Sequence, residues 1–288
     1  MECVYTHRAL LAESPVWSGE ENYLYWVDIA GKTFNQFDPS SGENVAIKTE
    51  IRVSSFALQE SGGFIAATEF GFQRYDYEIN QLTPIINPER GKPNNRLNDG
   101  RCDRSGRFWA GSMVEKGAQI PDANLYCLDI DSSFKKKHSG ITLSNGIAWS
   151  PDNKIMYLAD TRYPAVWTFD FNMAEGDITN QQLFIEFGPN EGVPDGAAID
   201  TDGCYWLAQP RVGKICRYTP GGAIDTVIEL PVSKPTMCAF GGQDLKTLYI
   251  TSNSFGFTDE DMHAQPLAGS LFALELTAQG LSESKFAG

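Results

Sequence analysis

Histidine is scarce in this chain, with His7, His138 and His263 lying far apart in sequence. That leaves no grouping for a His-rich zinc site and no partner set for a Ser-His-Asp triad. Lysine and arginine are also few, 23 against 37 Asp and Glu, which gives a formal charge of −14. Such an excess argues against a nucleic-acid partner, which needs a Lys/Arg surface, and against docking on anionic lipid. It is compatible with a divalent cation, although most of it reads as a solvated face. The six cysteines, Cys3, Cys102, Cys127, Cys204, Cys216 and Cys238, include no C-x-x-C pair. They read as free thiols, mostly small core residues, and only Cys204 and Cys216 stand on strands of one expected hairpin. No apolar run approaches the roughly 18 residues of a membrane span. Residues Met1–His7 lack the charged-then-apolar pattern of an export signal, so the expected compartment is the cytoplasm. G-x-S-x-G, H-E-x-x-H, G-x-x-x-x-G-K-[ST] and G-x-G-x-x-G are all missing. The common serine-hydrolase, zincin, P-loop and dinucleotide-binding signatures go with them.

What the chain has instead is a repeat. Ser144-Asn145-Gly146-Ile147-Ala148-Trp149-Ser150-Pro151-Asp152 recurs in altered form near Glu13, Asn98 and Asp195, and more weakly at Ser54 and Thr236. Each copy has a polar residue, a short apolar strand, a turn rich in Gly or Asp, and a second strand such as Tyr23–Trp26 or Ile155–Leu158. The leading positions Glu13, Ser54, Asn98, Asn145, Asp195 and Thr236 are separated by 41, 44, 47, 50 and 41 residues. That period, with about four short strands per copy, is the signature of β-propeller blades. Six starts predict an all-β, six-bladed β-propeller with the six residues at one height on the first strands, ringing a central channel. Blades cannot bury their faces alone, so residues 1–288 form a single expected domain. A closed ring needs no partner, and a monomer is expected.

The N-terminal strand at Cys3–Thr6 is predicted to close the ring by joining the last blade beside Ser270–Leu276. The aspartates at strand ends, Asp28, Asp38, Asp160 and Asp170, read as turn caps. Asn87–Gly100 is loop-like in composition. It leads into a ring position and aims Arg96 at whatever Asn98 touches. Met113–Asn124 in blade three and Asn253–Asp261 in blade six are long enough to be binding loops or lids. The tryptophans follow the strand repeat and belong to the core.

Glu13, Asn145 and Asp195 occupy ring positions of blades one, four and five, and Asn98 adds a fourth. Converging on one axis, they offer only oxygen donors, the preference of hard divalent cations. Asn-Gly and Asp-Gly are common turn pairs and, taken singly, read as turns. Ser54 and Thr236 fill the equivalent place in other blades, so the turn itself does not require Asn or Asp.

Taken together, Glu13-Ser14-Pro15-Val16-Trp17, Asn95-Arg96-Leu97-Asn98-Asp99-Gly100, Ser144-Asn145-Gly146 with Trp149-Ser150, and Pro194-Asp195-Gly196 resemble the senescence marker protein-30 (regucalcin)/gluconolactonase family. The likeness runs in order along nearly the whole chain to Phe286-Ala287-Gly288. It implies a six-bladed propeller that opens sugar lactones with one divalent metal, whether Ca²⁺, Zn²⁺, Mg²⁺, Mn²⁺ or Fe²⁺. It implies Glu13, Asn145 and Asp195 as metal ligands, Asp195 also as general base, and Arg96 and Asn98 as holders of the sugar hydroxyls. Relatives carry an acidic substrate-contacting residue after the Met-containing strand of blade three; here Lys116 stands at the matching position with Glu115 beside it. A phosphotriesterase-like or aryl-ester hydrolase on the same metal, or a non-catalytic calcium-binding propeller, are the rival readings. An aryl-ester hydrolase calls for a mainly aromatic mouth.

Overall fold

The computed structural model describes residues Met1–Gly288. It contains six four-stranded antiparallel sheets, the arrangement of a six-bladed β-propeller. Blade one is Ala12–Ser18, Tyr23–Asp28, Thr33–Asp38 and Glu43–Lys48; blade two is Val53–Leu58, Phe64–Thr68, Gly71–Asp76 and Gln81–Ile86. Blade three is Asn95–Cys102, Phe108–Val114, Ala123–Leu128 and Phe134–Ile141; blade four is Ser144–Trp149, Ile155–Asp160, Ala165–Asn172 and Asp177–Glu186. Blade five is Ala197–Ile199, Tyr205–Gln209, Lys214–Tyr218 and Ile224–Glu229. Blade six takes Pro235–Gly241, Thr247–Ser252 and Leu271–Glu275, and its fourth strand is Glu2–Tyr5 from the start of the chain, paired as Glu2↔Ala273 and Cys3↔Phe272. The first strand of each blade is almost wholly buried, whereas fourth strands such as Glu43–Lys48 and Gln81–Ile86 alternate toward solvent.

The chain resolves into two compact units, one of Met1–Glu50 with Phe187–Ser282 and one of Ile51–Glu186 with Glu283–Gly288. The first carries blades five, six and one; the second carries blades two, three and four. Within each, adjacent blades share an apolar seam. In the first, Trp17, Trp26 and Phe37 of blade one pack with Tyr249 and Leu271 of blade six. In the second, Trp109 of blade three packs with Trp149 and Phe171 of blade four, and Phe286 sits between blades two and three. Burying a side chain of this size contributes roughly 1.5–3 kcal/mol, so the seams outweigh any single polar contact.

Turn chemistry follows the repeat. Asp103 and Asp200 each begin a four-residue turn and accept a hydrogen bond from the indole Nε1 six residues on, Trp109 and Trp206, both at 2.9 Å. The aspartate thus ties turn to core, which a simple cap would not.

Three expectations need correction. Asn95–Gly100 is not loop but the start of blade three's first strand; only Asn87–Asn94 remains a connection. The Asn, Gly and Pro content of the whole stretch masked the strand, whose bulge tolerates Asn98-Asp99-Gly100. The blade-three interruption is shorter than expected, Glu115–Asp122, because the strands extend to Val114 and begin again at Ala123. The blade-six loop contains a one-and-a-half-turn helix, Asp259–Ala264, started by a capping box between Thr258 and Asp261. All six cysteines are free, Cys204 and Cys216 included. Burial raises the thiols of Cys102 and Cys127, the latter to about 12, which leaves them inert. No helix is long and apolar enough to cross a membrane.

Candidate active site

The ring residues owe their orientation to breaks in the ladder. Pairing between first and second strands skips at Glu13/Val16, Val53/Ser55, Leu97/Gly100, Asn145/Ala148 and Pro235/Met237. A bulge re-aims side chains by placing an extra residue opposite its partner strand. In blades one and four the residue after the polar one is left-handed: Ser14 at φ 51° and Gly146 at φ 60°. Glycine takes that conformation without cost; serine does not, and such strain persists where the surroundings enforce it. In blade five, backbone crowding replaces the left-handed turn. A Cβ at Gly196 would lie 2.3 Å from Met237 Cγ, so glycine alone fits beside Asp195.

Strand-end aspartates then hold the chain entering each bulge. Asp28 accepts the backbone N–H groups of Leu10 and Leu11, both at 2.9 Å, and of Gly31 at 2.8 Å. Asp160 repeats this in blade four, accepting from Thr142 at 2.6 Å, Leu143 at 3.0 Å and Arg162 at 3.0 Å. Glu69 does the same for blade two through Arg52 N at 2.9 Å. Two residues beyond Leu11 and Leu143 come Glu13 and Asn145. The strand-end aspartates are therefore positioning residues and not merely turn caps.

In the unit of blades two to four, the polar side chains form one connected network. Arg96, buried, donates from Nε to Glu115 Oε1 at 2.8 Å, and from one terminal nitrogen to Ser54 Oγ at 3.0 Å and Asn98 Oδ1 at 2.8 Å. Asn98 Nδ2 donates to Ser144 O at 3.0 Å and Asn145 Oδ1 at 3.2 Å. Asn145 Nδ2 donates to Thr161 Oγ1 at 2.7 Å. That last bond fixes the amide so that its oxygen is the end left for an electropositive partner. Asp99, buried, accepts Ile147 N at 2.9 Å and pins the bulge beyond Asn145 from the neighbouring blade. Burial pushes the Asp99 carboxyl up, partly offset by the hydrogen bonds it accepts and by Arg101.

Glu115 is the junction of the network. Arg52 grips both its oxygens, at 2.6 and 2.9 Å, while Arg96 shares Oε1. Partial burial raises its carboxyl, but the two guanidinium groups outweigh burial and hold it at about 2. Arg52 also grips Glu69 at 2.8 Å. Lys116 is exposed, with its backbone N–H on Asn94 O at 3.3 Å. Arg52, Thr161 and Arg162 escaped the sequence reading; Arg52 stands just before blade two's first strand, Thr161 and Arg162 just after blade four's second, and neither place carries a local motif.

In the unit of blades five, six and one, the ring segments are joined through the backbone. Asp195 N donates to Ala208 O at 3.0 Å, Gly196 N to Thr236 O at 2.8 Å, and Thr236 Oγ1 to Ala12 O at 2.5 Å. Glu13 and Asp195 are both half-buried. Ser14 N reaches Glu13 Oε2 at 3.3 Å, and the buried Ser14 hydroxyl has no hydrogen-bond partner. Nowhere do three His, Cys, Asp or Glu side chains gather as metal ligands. The expected set holds only two carboxylates, its third member being an amide. None of the three histidines lies at a ring position; His7 stacks on Tyr5 and His138 meets Phe169 edge-on.

Comparison with known proteins meets this geometry. The chain is 37% identical to regucalcin of Gallus gallus over 295 residues, covering 100% of this chain and 98% of that protein. It is 36% identical to 6-deoxy-6-sulfogluconolactonase of Pseudomonas putida, covering 100% and 99%. A calcium-binding regucalcin from Agrobacterium tumefaciens superposes with a TM-score of 0.94 at 26% identity, covering 99% of this chain and 96% of that one. The family model described as SMP-30/Gluconolactonase/LRE-like region matches residues 11–254. The chain belongs to the SMP-30/gluconolactonase/LRE-like family.

Proposed function

We propose that this protein is a metal-dependent hydrolase that opens a sugar lactone to its aldonic acid. The observation that carries the reading is the buried relay Arg96–Asn98–Asn145, whose members are all polar and mutually hydrogen-bonded. The sulfogluconolactonase relative, similar over its whole length, supports the same reaction class. The calcium-binding relative supports a divalent ion.

Glu13, Asn145 and Asp195 would hold the ion. Their chemistry fits: two carboxylates balance a divalent charge, the third donor is an amide oxygen, and no soft ligand is present. The left-handed Ser14 after Glu13 fits as well, since strain of that kind is retained where a side chain must be aimed. When bound, the ion supplies Lewis acidity toward the lactone carbonyl. The remaining work belongs to the chain. Asp195 takes a proton from the attacking water. Arg96 donates to sugar hydroxyls and Asn98 reads their direction, so position sets specificity more than charge does. Glu115 orients Arg96 and stands in for the acidic contact of the relatives, with Lys116 at the rim. Arg96 and Asn98 bond to each other and to the side chains of Ser54, Glu115 and Asn145. That polar mouth favours a polyol over the aryl esters of related metal hydrolases.

The test is a panel of neutral and charged aldonolactones assayed after stripping the metal and after restoring Ca²⁺, Zn²⁺, Mg²⁺, Mn²⁺ or Fe²⁺ singly. Hydrolysis should vanish on chelation and return with at least one ion. Full activity in stripped protein would refute the metal, and no activity on any lactone would refute the reaction class.

A further inference from the structure

In a chain of net charge −14, three arginines cluster around Glu115. Arg52, Arg96 and Arg162 gather there with three carboxylates, Glu69, Glu115 and Asp160. Arg52 and Arg96 are committed to Glu69 and Glu115. Arg162 is not. It is the residue after Thr161, which anchors Asn145, and its guanidinium reaches across to the carbonyl of Val114, one residue before Glu115. That carbonyl is the guanidinium's single protein hydrogen bond, although the group carries five N–H donors. Arg162 is exposed as a residue, yet packing around the guanidinium desolvates it and lowers its pKa more than Asp160 and Glu115 raise it.

The contacts close a circuit. Asn98 touches Asn145, Asn145 touches Thr161, Arg162 touches Val114, Glu115 touches Arg96, and Arg96 touches Asn98. An uncommitted cation therefore stands on the same circuit as the side chains expected to hold the sugar. Solvation of a surface arginine explains its exposure. It does not explain why the guanidinium turns inward to a carbonyl beside Glu115 and gives up water to do so. A guanidinium with spare, forked donors matches a carboxylate, sulfonate or phosphate group in geometry as well as charge.

We propose that Arg162, held in place by the Val114 carbonyl and backed by the Arg52–Glu115–Arg96 chain, recognises an anion, so that the preferred lactone carries a second acidic group remote from its ring ester. This rests on the lactonase reading above for the reaction, but not for the binding.

The experiment has two arms. In the first, the metal-loaded enzyme is assayed on gluconolactone, on glucarolactone, and on gluconolactones bearing a sulfonate or a phosphate on the terminal carbon. The wild type should give a higher kcat/KM on at least one charged lactone than on gluconolactone, and the highest value identifies which anion is meant. Arg162→Gln should lower the charged-to-neutral ratio about ten- to hundredfold, mostly through KM, as expected for loss of one charge-assisted pair. Arg162→Lys should restore part of it. In the second arm, calorimetric titration of the full chain with glucarate and with gluconate needs no turnover. Wild type should bind glucarate more tightly than gluconate, and Arg162→Gln should erase the difference. An unchanged ratio in the first arm, or equal binding of the two acids by wild type in the second, overturns the proposal. If no lactone is hydrolysed, the reaction class fails and the second arm decides the anion site by itself.

Discussion

Blades one and four use the same device for different ends. Each has a strand-end aspartate, Asp28 or Asp160, gripping backbone N–H groups ahead of a polar residue, Glu13 or Asn145, and each follows it with a left-handed residue. Beyond that the surroundings part. Asn145 is wired into side chains on both sides, Asn98 and Thr161. The neighbours of Glu13 are tied mainly through backbone, with Thr236 bonding Ala12 O and a buried Ser14 hydroxyl left without a partner. The lesson is that the repeat encodes where a polar side chain stands, while the blade around it encodes how that side chain is held. A neutral amide needs neighbours to choose which end it presents. A carboxylate presents oxygen either way.

The largest effect that sharpens this contrast lies with Asp195. Asp195→Asn should cut kcat by about 10²- to 10⁴-fold, the range of a lost general base, while much of the metal affinity stays. Steady-state kinetics beside a metal titration checks it; near-normal kcat would remove the base role. Next come the paired aspartates. Asp28→Ala and Asp160→Ala each strand several backbone N–H groups and should each cost about 2–4 kcal/mol by urea unfolding. A large cost at one and none at the other would break the equivalence of the two blades.

Glu115 supplies a pH test. Its folded carboxyl, at about 2, lies below the unfolded value near 4.5, so the unfolded chain binds the proton first. The stabilisation is complete above pH 4.5 and is lost as pH falls toward 2. With the side chain 23% exposed, it amounts to about 2 kcal/mol. Glu115→Gln should flatten the acid limb of a stability-versus-pH curve in that window; an unchanged limb would mean the two arginines do not hold the charged form.

The smallest effect is at the left-handed pair. Ser14→Gly should gain stability of about 0.5–1 kcal/mol, and Gly146→Ala should lose about 1 kcal/mol. Thermal melts of the two variants read the signs directly, and a loss on Ser14→Gly would show that Ser14 is not strained.

Blade number and the first strand of each blade were legible because one polar residue recurs at blade spacing. The closing strand was legible from the same logic, since a ring of sheets must join its ends. The positioning role of Asp28 and Asp160 was half legible: their recurrence was visible, but their partners lie 17 or 18 residues upstream. The Arg52–Glu115–Arg162 cluster was not legible. Its members come from three separate stretches, and charge pairs of that kind leave no periodic mark. Asn95–Gly100 was misread because a bulged strand shares the Asn and Gly content of a turn.

The central claim is that Glu13, Asn145 and Asp195 serve one divalent ion. Calcium titration of chelator-stripped protein, followed by calorimetry, tests it most directly. The account predicts one site per chain, with Glu13→Ala and Asn145→Ala each weakening that site at least about tenfold, as expected for loss of one charged or dipolar ligand. Binding that survives either substitution unchanged, or no binding by the wild type with any divalent ion tried, would contradict it.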